Sequence, residues 1–183
     1  PDRSSYMKPQ VHRLIVPRSV RYLTSGSLRQ TIDEVWFLCH GYGQLAEEFL
    51  NLASTLNGER RLLVAPEGMS RFYKDDYKSV GASWMTREDR DFEIRDYVSL
   101  FDLVCQQIFE IVDRGKVRLG LVGFSQGVAT AVRWALHGQT RVERLVLWGS
   151  SLPPELNNGE SLNRMRTMDL TLVRGRYDKL FPK

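Results

Sequence analysis

The stretch "LVGFSQGVAT", residues 121–130, joins an apolar run to a helical pattern and places Ser125 between two glycines. Its central pentapeptide "GFSQG" (123–127) fits G-x-S-x-G, a motif with chemical meaning where it follows a strand and opens a helix. There the serine sits in a strained turn, and glycines two positions before and after it leave room for that turn. A plain N-cap serine is the alternative, but capping requires neither glycine. We therefore predict that Ser125 is a nucleophile.

Five short apolar runs predict the strands of a parallel sheet, because continuous runs of this length suit strands buried on both faces. Helical patterns separate most of them, over 44–57, from about 87 to 114 and from 126 to about 137. This alternation predicts a doubly wound, mostly parallel α/β sheet with right-handed crossovers. The predicted strands are 34–40, 61–67, 117–124, 144–150 and 170–175.

The segment "VHRLIVPRSVRYLTSG" (11–26) predicts an N-terminal antiparallel hairpin at one edge of the sheet, where Pro17 is tolerated. Residues 68–85 and 151–168 follow neither periodicity. We predict long loops there, and such loops in compact domains are usually functional or mobile. The chain of 183 residues is expected to form a single domain.

Composition favours an ordinary soluble globular protein, with 42% hydrophobic and 26% charged residues. No apolar stretch approaches the roughly 20 residues of a membrane span, and the N-terminus lacks the apolar core of a secretory signal. The net charge is +4, and the basic residues are dispersed, which argues against a nucleic-acid-binding protein. Cys39 and Cys105 are predicted to be buried free thiols, compatible with a reducing compartment, and we expect a cytoplasmic protein.

A second glycine-rich element, "LCHGYGQ" (38–44), ends the first core strand just before a helix. Acyl transfer needs two backbone N–H groups aimed at a developing oxyanion. In this architecture one comes from the residue after the nucleophile, here Gln126, and the other from a turn after an earlier strand. Tyr42 is the candidate for the second donor. A tight turn without chemistry is the alternative.

An acid follows in "LVRGRYDKLFP", which places Asp178 in a turn just past the last apolar run. A carboxylate there orients a histidine and stabilises its imidazolium, although many turn aspartates have no such role. Triad partners follow the order Ser, acid, His, and no histidine follows Asp178. His137 lies ~18 Å from Ser125 along one helix, and His12 falls in the edge hairpin. His40 precedes the oxyanion turn and is expected to brace it.

The motifs "HGYGQ", "GFSQG" and "GRYDKLFP" resemble those of the phospholipase/carboxylesterase family of α/β-hydrolases, which includes acyl-protein thioesterases. They match the family's HG-x-G turn, nucleophile elbow and G-x-x-D-x-x-x-P acid turn, and "ASWM" resembles its tryptophan segment. The resemblance covers about 34–182 and implies an α/β-hydrolase fold. It implies Ser125 as nucleophile, Asp178 as acid, and the N–H groups of Tyr42 and Gln126 as the oxyanion hole.

The resemblance also implies a histidine after the last strand of the sheet. Typical strand–helix units predict about 30–40 residues beyond Lys183 for the missing last strand, this histidine and a closing helix. Family members hydrolyse carboxylic esters and thioesters through an acyl-serine, a cycle that requires no metal or other cofactor.

The aromatic and methionine residues of 68–85 are expected to wall an apolar site for a small-molecule or lipid-like acyl ester. Trp84, Tyr73 and Met69 are the predicted substrate-binding residues, and packing on the core is the alternative for each. Two other functions stay open. One is a binding protein that keeps the hydrolase fold without turnover. The other is a peptidase or lactone hydrolase on the same fold.

Overall fold

The computed structural model describes residues 9–26 and 31–175. Within them, the strands are β1 (Tyr22–Ser25), β2 (Glu34–Cys39), β3 (Arg61–Pro66), β4 (Ser70–Lys74), β5 (Ser79–Ser83), β6 (Arg118–Phe124), β7 (Arg144–Trp148) and β8 (Asp169–Val173). The α-helices are α1 (Ala46–Leu52), α2 (Arg90–Phe109), α3 (Gln126–His137) and α4 (Gly159–Met165). Short 3₁₀ helices cover Ala53–Leu56, Arg114–Lys116 and Pro154–Leu156.

A six-stranded sheet in the order β1-β3-β2-β6-β7-β8 forms the centre of the molecule. All neighbouring pairs are parallel except β1, which runs antiparallel to β3 at one edge. The chain builds outward from β2 in both directions, through β3 on one side and through β6 on the other. This confirms the predicted doubly wound, mostly parallel sheet. The carboxyl ends of β2 and β6 meet at the switch point, where such sheets place their sites.

Two apolar layers cover the sheet, because successive side chains of a strand point to opposite faces. Val35 and Phe37 of β2 pack with α2 and α3 on one face. Trp36 and Leu38 pack with α1 on the other. All six residues of β2 are buried, as a strand with neighbours on both edges and both faces requires.

Glu34 ties together the amino ends of the central strands. Its carboxylate accepts hydrogen bonds from Arg61 at 2.8 Å, Arg144 at 2.7 Å and Arg118 at 3.3 Å, and from the Trp36 indole at 3.1 Å. The three arginines lie at the first residues of β3, β7 and β6. Burial opposes ionisation, but the indole and guanidinium donors outweigh it, so the pKa of Glu34 lies below its ordinary value.

Replacing Glu34 by glutamine should destabilise the fold by about 2 kcal/mol at pH 7, since three guanidinium groups lose their shared carboxylate. The lowered pKa makes this contribution fully present above the unfolded-state pKa. It is lost as the pH falls through the lower folded-state pKa. Urea unfolding of the wild type and Glu34→Gln from pH 7 downward measures it, with Glu59→Gln, an exposed carboxylate, as the matched control. A constant difference across that range would contradict the assignment.

Only the second half of the predicted N-terminal hairpin is a strand. β1 pairs with β3, with Tyr22 opposite Pro66, at the predicted edge. Residues 11–16 form no strand, and their aliphatic side chains are exposed. In the described ranges, the Arg13 side chain instead reaches Asp89 just before α2. In the part of the chain that the structure describes, residues 11–16 pair with no strand of the sheet.

The two predicted long loops contain regular structure. Residues 68–85 form an antiparallel hairpin of β4 and β5, closed by residues 75–77 in left-handed conformation. Residues 151–168 contain a 3₁₀ helix and α4. Both predictions were wrong because the elements are short. Seven helical residues make barely two turns. β4 has no buried residue and the buried residues of β5 are the small Gly81, Ala82 and Ser83, so neither strand shows the apolar run that marked the central sheet.

The long helix is shorter than predicted, and the helix after Ser125 is as predicted. α2 covers Arg90–Phe109, whereas Gly115 lies in a separate 3₁₀ helix. α3 covers Gln126–His137 and is followed by Gly138. Both cysteines are buried and free, as predicted. Within 9–26 and 31–175, no helix has both the length and the apolar character that crossing a membrane requires.

Candidate active site

Ser125 occupies a strained turn between β6 and α3. Its φ of 53° and ψ of −117° lie where residues other than glycine rarely occur. The Ser125 N–H donates to the Trp148 carbonyl at 2.9 Å, and its carbonyl accepts from the Val128 N–H at 3.0 Å. The hydroxyl makes no capping hydrogen bond, so the plain N-cap interpretation is wrong. Strain of this kind persists where surrounding structure enforces it, and it concentrates at functional sites.

Close backbone approach explains the glycines that flank Ser125. A Cβ on Gly123 would lie 2.5 Å from the Gly127 carbonyl oxygen. A Cβ on Gly127 would lie 2.0 Å from the Cys39 carbonyl oxygen and 2.7 Å from that of His40. These neighbours are main-chain atoms that cannot swing aside. α3 therefore begins directly against the end of β2, which brings the serine turn next to the turn that follows His40.

In the turn after β2, residues 41–44, one N–H group has no acceptor in the described part of the chain. The Gly41 N–H donates to Gln44 Oε1 at 2.8 Å, and the Gln44 N–H donates to the Gly41 carbonyl at 3.2 Å. The Gly43 N–H donates to the Ala82 carbonyl at 2.9 Å. Among the residues that the structure describes, none accepts from the Tyr42 N–H. The Tyr42 N–H is therefore the donor of this turn that is left for an oxygen atom of a ligand.

Gln126 begins α3, and its N–H likewise has no acceptor within the described parts of the chain. Its side chain binds the segment after β5. Nε2 donates to Ser83 Oγ at 3.1 Å and to the Met85 carbonyl at 2.9 Å, and Oε1 accepts from the Trp84 N–H at 3.2 Å. Sequence reasoning assigned Gln126 only through its backbone. Nothing in the pattern "GFSQG" indicates what its side chain holds.

His40 braces the turn and is fully buried. Its Nδ1 hydrogen-bonds the Gly41 carbonyl at 2.8 Å, and its Nε2 accepts from the Gly68 N–H at 2.9 Å. These partners assign the neutral tautomer with the proton on Nδ1. Burial lowers the pKa of His40, against the opposing effect of the Gly41 carbonyl. Because both ring nitrogens are engaged, neither is available to take a proton from Ser125, in line with the bracing role expected from the sequence.

Trp84 lies behind this turn and is 1% exposed. Its indole N–H donates to the His40 carbonyl at 2.8 Å, and its ring stacks on the imidazole with 4.6 Å between centroids. These contacts favour the packing alternative for Trp84. Its substrate contact stays a prediction.

The other two predicted substrate-binding residues lie apart from each other. Tyr73 is exposed on β4 and its ring contacts that of Tyr77 at a tilt of 56°, with ring centroids 5.2 Å apart. Met69 is half-buried against the core between β3 and β4. The start of α3, which follows Ser125 and contains Gln126, lies against the end of β2, from which the turn with Tyr42 continues, and Trp84 contacts the His40 carbonyl there. Asp178 lies outside the described residues.

Glu67, which the sequence did not single out, is a buried carboxylate beside the site. It accepts hydrogen bonds from Arg21 at 2.8 Å, Arg71 at 2.6 Å and the Ala46 N–H at 3.2 Å. Burial opposes ionisation, but the two guanidinium groups outweigh it, and the pKa of Glu67 lies below its ordinary value. Glu67 thereby connects the segment after β3 to α1 through Ala46 and to β4 through Arg71. In sequence it looks like any glutamate after a strand.

Arg133 is a second buried charge that pattern reasoning missed. It lies on α3, 6% exposed, and donates to Tyr97 Oη at 3.1 Å and to Glu155 at 2.5 Å. Arg90, at the start of α2, contacts the same carboxylate. The pair fastens the segment after β7 to α3. An arginine among alanines on a helix gave no sign of burial, because its partners come from distant segments.

Comparison with known proteins shows the family and the fold of this chain. The phospholipase/carboxylesterase family model matches residues 27–183. Among solved structures, acyl-protein thioesterase 2 of Zea mays is 18% identical with a TM-score of 0.57, over 83% of this chain and 74% of that one. A phospholipase/carboxylesterase of Dyadobacter fermentans is 14% identical, with a TM-score of 0.57 over 91% and 93%. The carboxylesterase of Bacillus cereus is 14% identical, with a TM-score of 0.59 over 88% of each chain.

At these identities the solved structures establish the fold alone. None of the proteins of curated function that were compared with the chain matches it. The family model covers far more than half of the sequence, and its span includes the serine elbow and the turn after β2. This chain belongs to the phospholipase/carboxylesterase family of α/β-hydrolases.

Proposed function

We propose that this protein is a serine hydrolase that cleaves carboxylic esters or thioesters through an acyl-enzyme on Ser125. One observation carries the proposal. Ser125 is held at a φ of 53° with its hydroxyl uncapped, and neighbouring turns carry two N–H groups with no acceptor in the described residues. A turn with a purely structural role needs neither the strained backbone at Ser125 nor two N–H groups that donate to nothing.

In the proposed cycle, Ser125 Oγ attacks the acyl carbonyl carbon. The carbonyl oxygen becomes an oxyanion and accepts hydrogen bonds from the N–H groups of Tyr42 and Gln126. The tetrahedral intermediate then collapses, and the alcohol or thiol leaves with the proton that the general base took from Ser125 Oγ. Water next hydrolyses the acyl-serine to the free acid and regenerates the serine hydroxyl. Because both donors belong to backbone held by other hydrogen bonds, they need little reorganisation as charge develops.

We assign the acid to Asp178 and the general base to a histidine C-terminal to it, as the family resemblance implies. The three histidines of the sequence do not suit that role. His40 uses both ring nitrogens within the fold, and His137 lies at the far end of α3 from Ser125. His12 belongs to the N-terminal segment before β1. Activity is therefore to be measured on the full-length protein.

The proposed substrate is a small-molecule or lipid-like acyl ester. Tyr42 is 62% exposed, and its ring stacks on Phe72 of β4 with 5.1 Å between centroids. We propose this pair as an apolar surface for the acyl group, with Tyr73, Met69 and Trp84 as further contacts. The buried free thiols support a reducing compartment such as the cytoplasm.

The test is covalent labelling of the full-length protein with a fluorophosphonate, combined with hydrolysis of p-nitrophenyl esters of increasing chain length. We expect one label, on the peptide that contains Ser125, and turnover of both esters and thioesters. Labelling with turnover of a peptide amide or a lactone in preference to esters would assign the chemistry to another hydrolase class. The absence of both labelling and hydrolysis would favour a binding protein.

A further inference from the structure

The β4–β5 hairpin is hydrogen-bonded to the turn that contains Tyr42. The Gly43 N–H donates to the Ala82 carbonyl at 2.9 Å, and the Ala82 N–H donates back to the Gln44 carbonyl at 3.3 Å. These two bonds fasten the turn to β5 as if it were a short extra strand. The first holds the peptide unit directly after Tyr42, and the second holds the unit directly after Gln44.

The approach of hairpin and turn is as close as backbone allows. A Cβ on Gly81 would lie 2.5 Å from the Gly43 carbonyl oxygen and 2.8 Å from its Cα. Gly43 itself has a φ of +75°. The peptide after Gly43 therefore has a fixed orientation, with its oxygen turned toward the hairpin.

A side chain from the hairpin takes that oxygen. Lys74, the last residue of β4, donates from Nζ to the Gly43 carbonyl at 2.6 Å. Its aliphatic stem lies along Gly43, with Cδ 3.6 Å from where a Cβ would stand. A hydrogen bond from an ammonium group is stronger than one between neutral groups, so it resists rotation of the peptide more than a neutral donor would.

The same hairpin also reaches the second proposed donor. Its last strand continues into Ser83, Trp84 and Met85, which the Gln126 side chain binds through hydrogen bonds of 3.1 Å, 3.2 Å and 2.9 Å. One rigid element thus contacts the turn of Tyr42 on one side and the start of α3 on the other. A shift of the hairpin changes the geometry of both N–H groups.

We propose that Lys74 is a positioning residue for the oxyanion hole, whose ammonium group on the Gly43 carbonyl fixes the turn that presents the Tyr42 N–H. This inference rests on the proposed function, because it assigns a purpose to the turn only if an oxyanion forms there. Its effect is on the transition state. A turn that is free to rotate still binds the ester, but it stabilises the oxyanion less well.

The experiment compares Lys74→Met, Lys74→Arg and the control Lys78→Met in the full-length protein, with ester hydrolysis and thermal unfolding measured for each. Lys78 is exposed on the same hairpin, and Lys78→Met removes the same charge as Lys74→Met. We expect Lys74→Met to lower kcat about tenfold, less than the loss of a whole oxyanion donor, with KM and the unfolding midpoint nearly unchanged. Lys74→Arg should restore part of kcat, and Lys78→Met should stay within about twofold of the wild type.

A boronic acid inhibitor supplies the second readout, because its adduct with the serine places an oxygen in the oxyanion hole. Its Kd should rise for Lys74→Met in proportion to the fall in kcat. Equal kcat and boronate affinity in Lys74→Met and Lys78→Met, in a protein whose activity needs Ser125, would overturn the role of Lys74 and leave the proposed function standing. A wild-type protein that neither hydrolyses esters nor labels at Ser125 would overturn both.

Discussion

Replacing Ser125 by alanine is expected to reduce ester hydrolysis to background, a loss of about 10⁶-fold if the effect follows the serine-protease template. The change removes only the oxygen that forms the acyl bond. The backbone hydrogen bonds of Ser125 to Trp148 and Val128 do not involve the side chain, so the free energy of unfolding should change little. Initial rates with a p-nitrophenyl ester and urea unfolding measure the two effects.

A glycine at the same position separates chemistry from strain. Ser125 holds a φ of 53° that favours glycine over residues with a Cβ. Ser125→Gly should therefore be as inactive as Ser125→Ala but more stable, by about 1 kcal/mol. The serine is kept at a cost in stability, as expected where a residue serves catalysis. Exposed Ser151→Ala is the control and should retain wild-type rates. An active Ser125→Ala protein would rule out the nucleophile assignment.

The second large effect is expected from Gly127→Ala. Alanine favours a helix over glycine by about 1 kcal/mol, but here its Cβ would stand 2.0 Å from the Cys39 carbonyl oxygen. That overlap of fixed backbone has to push α3 away from β2, and with it the Gln126 N–H. We expect a loss of about 3–4 kcal/mol in stability, in the range of severe core disruption, and at least about 100-fold in kcat/KM.

Gly159→Ala is the matched control, because it is also a glycine in the first turn of a helix. A Cβ at Gly159 meets nothing within 4 Å, so the substitution should leave activity intact and stabilise the fold by about 0.5–1 kcal/mol. Thermal unfolding and ester hydrolysis of both variants make the comparison. Similar stability and activity for the two variants would show that α3 does not depend on contact with β2.

Much of the architecture could be predicted because β2, β3 and β6 are buried almost throughout. β2, β3, β6 and β7 each appear as a continuous apolar run, and the structure places them side by side in the parallel sheet. The β4–β5 hairpin and α4 did not show in the pattern. β4 has no buried residue, β5 buries only small ones and α4 buries only Ser161 and Met165, so none of them shows an apolar run or stripe. For residues 11–16 the prediction failed in the opposite way. Their aliphatic side chains suggested a strand, but they are exposed and form no strand in the described structure.

The site divides along the same line. The serine elbow and the glycine turn were visible in the sequence because each places demands on consecutive residues, such as a left-handed φ at Ser125. The roles of Lys74 and of the Gln126 side chain were not visible. Each acts on a partner more than 30 residues away, and such pairs leave no local pattern.

The sequence by itself determined the order of the central strands and their helices, the family, and the place of the serine elbow along the chain, because short-range sterics and burial periodicity act between neighbouring residues. Only the tertiary structure decided that His40 is a neutral brace, that Trp84 packs behind the turn, and that a hairpin predicted as a loop is hydrogen-bonded to the turn that contains Tyr42. Those outcomes depend on distances between atoms far apart in the chain, and distances of that kind arise only when the chain has folded.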